Sequence, residues 1–255
     1  MKPIILAIDG IIGAGKTSLV KLLGVKLTNA IKMRLCSTGT IKTDNVLFEH
    51  ATNDNLNICI IYEPVELWKS TGALAHFYED KANHAYDFQS FVYITRIQAI
   101  KNAVKANPDA DIYILERSVF SDEYLFVEML HNDGTLNDTQ MRMYKTWCRT
   151  YDELLPWSPS GFIYLSPSLK ETIARIKTRA RVGEDVNHDY QMALLLQHEK
   201  IFGNSNGLAV IADVEYPVHA IRTDEDFRLE NGGHVEIVNG VADFVIELAS
   251  PHDHV

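Results

Sequence analysis

The run Ile4-Ile5-Leu6-Ala7-Ile8, broken at Asp9-Gly10, constrains this chain more than any other stretch. It is uniformly apolar and rich in β-branched residues, so it reads as a strand buried on both faces. Apolar residues return with helical spacing at Leu19, Leu22 and Leu23. Between strand and helix lies Gly10-Ile11-Ile12-Gly13-Ala14-Gly15-Lys16-Thr17, a full match to G-x-x-x-x-G-K-[ST] in the setting that motif requires. Glycines let successive backbone N–H groups point into one concavity, and the helix N-terminus adds positive potential for a phosphate chain. The stretch through Ser18 therefore predicts a nucleoside triphosphate site. Lys16 would reach the outer phosphates, and the Thr17 hydroxyl would ligate Mg²⁺.

Further strands and helices alternate after it. Ile58 to Tyr62, Ile112 to Leu115, Ile163 to Leu165 and Val218 to Ile221 read as four more strands. Helical spacing runs over about 17–31, 73–78, 86–106, 121–130, 138–155, 190–202 and 241–248, and Ser168 caps another helix. Residues 32–57 read as a surface insertion of loop around at most a short helix. The pattern predicts one α/β domain over residues 1–255, with a five-stranded parallel sheet flanked by helices. The formal net charge of −10 disfavours a nucleic-acid partner. Cys36, Cys59 and Cys148 have no metal-ligand spacing and fit buried thiols in a reducing compartment. No stretch approaches the roughly 20 apolar residues of a membrane span, and Met1-Lys2-Pro3 leaves no room for a leader. The expectation is a cytoplasmic protein.

Ligands of open α/β sheets bind beyond the carboxyl ends of the strands. Glu63, Glu116 and Arg117 fall there. Phosphoryl transfer needs positioning and charge neutralisation, and an ionised carboxylate can accept a proton from an attacking hydroxyl. Glu63 is the candidate base; Arg117 could hold the attacking oxygen, and Glu116 a hydroxyl or Mg²⁺. Arg175 and Arg179 share a helix face in a basic segment ending at Arg181, before the glycine-bearing stretch 183–189. In a lid over about 175–189 such arginines would close over the phosphates.

These motifs together resemble the deoxyribonucleoside kinases of the deoxycytidine/deoxyguanosine kinase type, which share the P-loop kinase fold with an arginine-rich lid. The resemblance covers nearly the whole chain. It rests on the P-loop, Glu63-Pro64-Val65-Glu66-Leu67-Trp68, Phe88-Gln89-Ser90-Phe91, Glu116-Arg117-Ser118-Val119-Phe120-Ser121-Asp122, Arg179-Ala180-Arg181 and Glu225-Asp226-Phe227, in the family's order. It implies ATP as donor, Mg²⁺, a homodimer through the helices near 86–106 and 138–155, and Glu63 as base for a 5′-hydroxyl bound by Glu116 and Arg117. Gln89 resembles the base-reading glutamine, and Trp68, Phe88, Val92 and Phe126 the pocket walls. Tyr78 and Glu184 match the pair at the 3′-hydroxyl, Arg175, Arg179 and Arg181 the lid arginines, and Glu225, Asp226 and Phe227 the loop around the donor's base. An arginine and an aspartate at Arg96 and Asp122 imply deoxycytidine or purine deoxynucleosides rather than thymidine, because a charged pair offers polar edges and crowds a methyl group.

The chain also departs from the family. Lys16 and Glu63 are 63 − 16 = 47 positions apart, a longer gap than usual. Tyr62 replaces a proline, Gly183 replaces a lid glutamate, and the lid is one residue shorter. Two other readings stand beside this one. A nucleoside monophosphate kinase would need a basic site for the acceptor's phosphate. A catalytically silent relative would be expected to lose Lys16, Thr17, Glu63 or Arg117, and all are present.

Overall fold

All six residues of β1 (Ile4–Asp9) are buried. Parallel neighbours β3 (Ile112–Glu116) and β4 (Gly161–Leu165) bond both of its edges. Its side chains alternate between two layers. Ile4, Leu6 and Ile8 pack with Leu19, Leu23 and Leu27 of α1 (Lys16–Thr38) and Val241 and Val245 of α10 (His234–Ala249). Ile5 faces Ile100 of α5 (Lys81–Ala106), and Ala7 faces Phe202 of α9 (His188–Phe202). Cover on both faces is why the strand reads as an unbroken apolar run. The computed structural model describes residues 2–38, 45–154, 157–204, 206–227 and 233–250.

The sheet has six strands in the order β2-β3-β1-β4-β6-β5, with β2 at Ile58–Ile61, β5 at Leu208–Ile211 and β6 at Val214–Ile221. Five run parallel, and β5 pairs antiparallel with β6. The five-stranded expectation is therefore one strand short. The turn between β5 and β6 holds Ala212 and Asp213 at φ 51° and 62°. That left-handed pair suits a two-residue hairpin, but without glycine or asparagine it carries no turn signature. The strand order reverses at β1, so the glycine-rich loop lies at the switch point of the sheet.

The described parts of residues 32–57 are more helical and more buried than a loop insertion would be. With no glycine or proline between Gly24 and Gly39, α1 runs on to Thr38 and buries Leu27, Ile31 and Leu35 at four-residue spacing. Asn45 caps α2 (Val46–Thr52), which buries Leu47, Phe48 and Ala51 in the main core. Lys32 pairs with Asp54 at 2.6 Å, and Asn45 Nδ2 donates to the Ala249 carbonyl at 2.6 Å. Residues 39–44 lie outside the described part.

The other helices are α3 (Val65–Ser70), α4 (Ala73–Glu79), α6 (Glu128–Asn132), α7 (Asp138–Leu154) and α8 (Leu169–Arg179). Residues Ser121–Val127, expected as ordinary helix, are wound as a π-helix leading into α6. Cys59 and Cys148 are buried free thiols, whereas Cys36 is exposed.

Phe48→Ala should lower the unfolding free energy in a urea titration by about 3–5 kcal/mol, the cost of emptying a core phenylalanine site. A surface loop residue would change it by less than about 0.5 kcal/mol.

Candidate active site

The loop between β1 and α1 can lie where it does only because of its glycines. Gly10 has φ 144°, and a Cβ there would sit 2.6 Å from the Leu165 carbonyl. Gly13 has φ 83°, and its Cβ would sit 2.8 Å from the Thr172 carbonyl of α8. Lys16 is buried, and its Nζ donates to the carbonyls of Gly10 at 3.0 Å and Ile11 at 3.1 Å. Burial first, then the nearby Arg117, push its pKa down to about 7, against the pull of Glu63, Glu116 and Asp9. The Thr17 hydroxyl donates to the Glu116 carboxylate. Burial, then Glu63, raise the pKa of that carboxyl.

Ile12, Gly13, Gly15, Lys16, Thr17 and Ser18 line one cleft of about 740 Å³. Gly10, Ile11 and Ala14, also expected at the nucleotide, lie buried behind the loop and do not line it.

Glu63 follows β2 and Arg117 follows β3, bringing both to the same edge as the loop. Arg96, on α5, reaches them from the side. Its Nη2 donates to Glu63 Oε1 at 3.0 Å and to Asp122 Oδ1 at 3.0 Å. Nε donates to Asp122 Oδ2 at 2.7 Å, and Nη1 to the Glu116 carbonyl at 3.0 Å. Arg117 Nε stands 3.4 Å from the same Glu63 Oε1. Burial pushes the Glu63 pKa up, but the charges of Arg96, Arg117 and Lys16 outweigh it and hold the carboxyl below its ordinary value.

Arg117 has φ 63°, a left-handed conformation uncommon outside glycine. That turn folds the side chain back under the loop, where Nη1 donates to Asp9 Oδ1 at 2.7 Å and Nη2 to the Gly10 carbonyl at 2.6 Å. Ser121 also donates to Asp9. Burial raises the Asp9 pKa, but hydrogen bonding and the positive charge of Arg117 bring it down to about 2.

Aromatic rings wall the rest of the cleft. Phe88 stacks on Phe77 with centroids 4.7 Å apart and meets Trp68 edge-on at 6.0 Å. Trp68 Nε1 donates to Thr95 Oγ1 at 2.9 Å, which fixes the indole. Phe126 lies 4.8 Å from the Arg117 guanidinium. Ser121, Asp122 and Phe126 all come from the π-helix, whose wider winding brings residues five apart to one face. Gln89, 2% exposed, and Val92 line the cleft, and the Gln89 amide makes no hydrogen bond among the described residues. Tyr78 lines it too; burial, then Tyr190 and Glu184, raise its pKa well above the usual range, so it stays a protonated donor.

The lid segment reaches the same cleft. Arg179 and Arg181 (Nη1 at 3.1 Å) both donate to Glu184, whose side chain is 4% exposed. Arg175 is arranged differently from the expected lid arginine. Its Nη2 donates to the carbonyls of Thr223 at 2.5 Å and Asp224 at 3.3 Å, tying α8 to the loop after β6. Its Nη1 is buried with no partner among the described residues. Glu225, Asp226 and Phe227 line the cleft beside it.

The sequence reading passed over Asp9, Phe77, Tyr190 and His198. Asp9 carried a signal, as a lone acid closing an apolar strand. The other three sit within helices and carried none.

The family model described as deoxynucleoside kinase matches residues 35–246. The match begins after the glycine-rich loop, which stands on its own motif and geometry. A probable deoxycytidine kinase of fowlpox virus is 32% identical over 213 residues, covering 83% of this chain and 86% of that protein. Deoxycytidine kinase 2 of Gallus gallus is 24% identical over 251 residues, covering 94% and 89%. A mitochondrial deoxyguanosine kinase of Xenopus laevis is 27% identical over 181 residues, covering 67% of each. The chain belongs to the deoxynucleoside kinase family. Its reaction is the phosphorylation of a deoxynucleoside, and the monophosphate-kinase reading falls away.

The buried His198 gives the site a pH-dependent stability. Burial, then Arg117, hold its pKa below the ordinary value, against Asp9. Below about pH 6.5 the unfolded chain binds a proton there that the folded chain refuses, so stability falls on acidification. Urea titrations at about pH 7 and pH 5.5 should show a smaller loss for His198→Gln than for the wild type.

Proposed function

We propose that the enzyme transfers the γ-phosphoryl group of ATP to the 5′-hydroxyl of deoxycytidine or a purine deoxynucleoside, in preference to thymidine, as a step of nucleotide salvage. The carrying observation is that Glu63 Oε1 is held by Arg96 and Arg117 in the cleft that Lys16 and Thr17 also line. Two cations at Oε1 keep the carboxylate ionised and orient it, and Oε2 takes the 5′-hydroxyl proton as that oxygen bonds the γ-phosphorus. The bond to the β–γ bridging oxygen breaks and ADP departs. Arg117 holds the attacking oxygen. Arg179 and Arg181 exchange Glu184 for the transferring phosphoryl group as the lid closes.

The partnerless Arg175 Nη1 and the glycine cradle fit a polyphosphate. Thr17 and Glu116 supply hard oxygen donors of the kind Mg²⁺ takes when phosphates provide the rest. Bound there, Mg²⁺ would neutralise phosphate charge.

Specificity follows from the walls. The partnerless Gln89 amide offers a donor and an acceptor to a base edge. Tyr78 donates to, and Glu184 accepts from, the 3′-hydroxyl. Arg96 and Asp122 form a closed bidentate pair at the base end that leaves little room for a 5-methyl group. Because Arg96 also holds Glu63, it serves chemistry as well as selection.

Two further features are proposed. Ile94 on α5 and Met143, Trp147 and Leu154 on α7 are exposed large apolar residues, and they support a homodimer formed through these helices. Free cysteines, with no helix among the described residues long and apolar enough to cross a membrane, support a cytoplasmic setting.

ADP release with Mg-ATP and each deoxynucleoside in turn tests the reading. Glu63→Ala should lower kcat by about 10²–10⁴-fold. Arg96→Met should lower kcat with every acceptor. Undiminished turnover by Glu63→Ala would remove the base, and thymidine as the best acceptor would overturn the selectivity. Light scattering should give twice the chain mass, and Met143→Asp with Trp147→Asp the single chain.

A further inference from the structure

His198 is fully buried on α9, the helix that begins where the lid ends. Its Nδ1 lies 2.7 Å from the Leu194 carbonyl, and its Nε2 lies 3.4 Å from Arg117 Nη1 and 3.5 Å from Asp9 Oδ1. A carbonyl oxygen only accepts, so Nδ1 carries the proton and Nε2 of the neutral ring presents a lone pair. Arg117 Nη1 has two N–H bonds. One goes to Asp9, and Nε2 is the acceptor in place for the other.

The remaining contacts of the guanidinium are equally directed. Nη2 is bound by the Gly10 carbonyl, the Phe126 ring covers one side, and only Nε faces Glu63. The left-handed backbone of Arg117 persists only if its surroundings hold it. The imidazole is itself braced, with the Tyr164 ring stacked at a centroid distance of 6.1 Å. On the same helix Gln191 donates to the Ile12 carbonyl of the loop, and Gln197 Nε2 donates to the Tyr124 carbonyl of the π-helix at 2.7 Å.

We propose that His198 is a positioning residue for the phosphoryl transfer. Its Nε2 lone pair fixes the Arg117 guanidinium so that Nε stays against Glu63 and the attacking oxygen. It touches no substrate and acts through Arg117. The proposal rests on the role given to Arg117 above.

The test compares His198→Gln, His198→Asn and His198→Leu, each as the full chain, for kcat, KM for ATP and melting temperature. The glutamine carbonyl reaches about as far as Nε2, whereas the asparagine carbonyl stops near Nδ1. His198→Gln should keep most of kcat. His198→Asn and His198→Leu should lose about ten- to a hundredfold, the scale on which small misplacements act, with KM for ATP unchanged. A purely structural histidine would move the melting temperature and leave the kcat of the folded enzyme alone. If His198→Leu does not fold, the two amides decide. Equal kcat for Gln and Asn overturns the proposal, whether both are high or both are low. Arg117→Met is assayed alongside. Wild-type kcat there would sink the role of Arg117 itself, whereas its loss with equal amides would sink only that of His198.

Discussion

Buried charge organises this molecule. At the carboxyl edge of the sheet, Lys16, Arg96 and Arg117 stand among the buried Asp9, Glu116 and Asp122 and the half-buried Glu63. None of these groups could be buried alone, because the desolvation of an isolated ion exceeds what a domain's net stability allows. The arginines and their carboxylates are tolerated because partners from different elements meet: β1 supplies Asp9, α5 supplies Arg96, and the π-helix supplies Asp122. The fold and the site are therefore one problem. Strand order, the left-handed turn at Arg117 and the π-winding at Ser121–Val127 all serve to bring opposite charges within about 3 Å.

The same arrangement explains what the sequence could and could not reveal. Apolar runs flanked by polar residues at strand ends are local signals, so β1 to β4 and the placement of Glu63, Glu116 and Arg117 were legible. So was the nucleotide loop, whose glycine spacing is a direct statement about backbone conformation. β5 was not, because it is four residues long and its turn uses Ala212 and Asp213 where glycine or asparagine is expected. Pro217 further disguised β6, although it is tolerated there opposite Leu208. α2 showed only as at most a short helix in loop, because polar residues flank its three buried ones.

Long-range pairings were hidden for a different reason. Nothing near His198 in sequence says that it will meet Asp9 of β1 and Arg117 just after β3. Arg175 illustrates the converse. Its helical phase with Arg179 was legible, but its partners, the carbonyls after β6, were not. A lid arginine and a loop anchor look the same until the far end of the chain is in place.

The position of β1 in the sheet bears on how the protein is made. β1 is central, so its two edges stay unpaired until residues 112–116 and 161–165 have left the ribosome. The apolar face of α1 waits longer still, for α10 at residues 234–249. Until then a nascent chain carries this apolar strand with no native partner to cover it. The nucleotide loop follows β1 directly, so its surroundings are complete only once those later elements are in place. A chain cut before residue 161 would leave one edge of β1 and the apolar face of α1 uncovered.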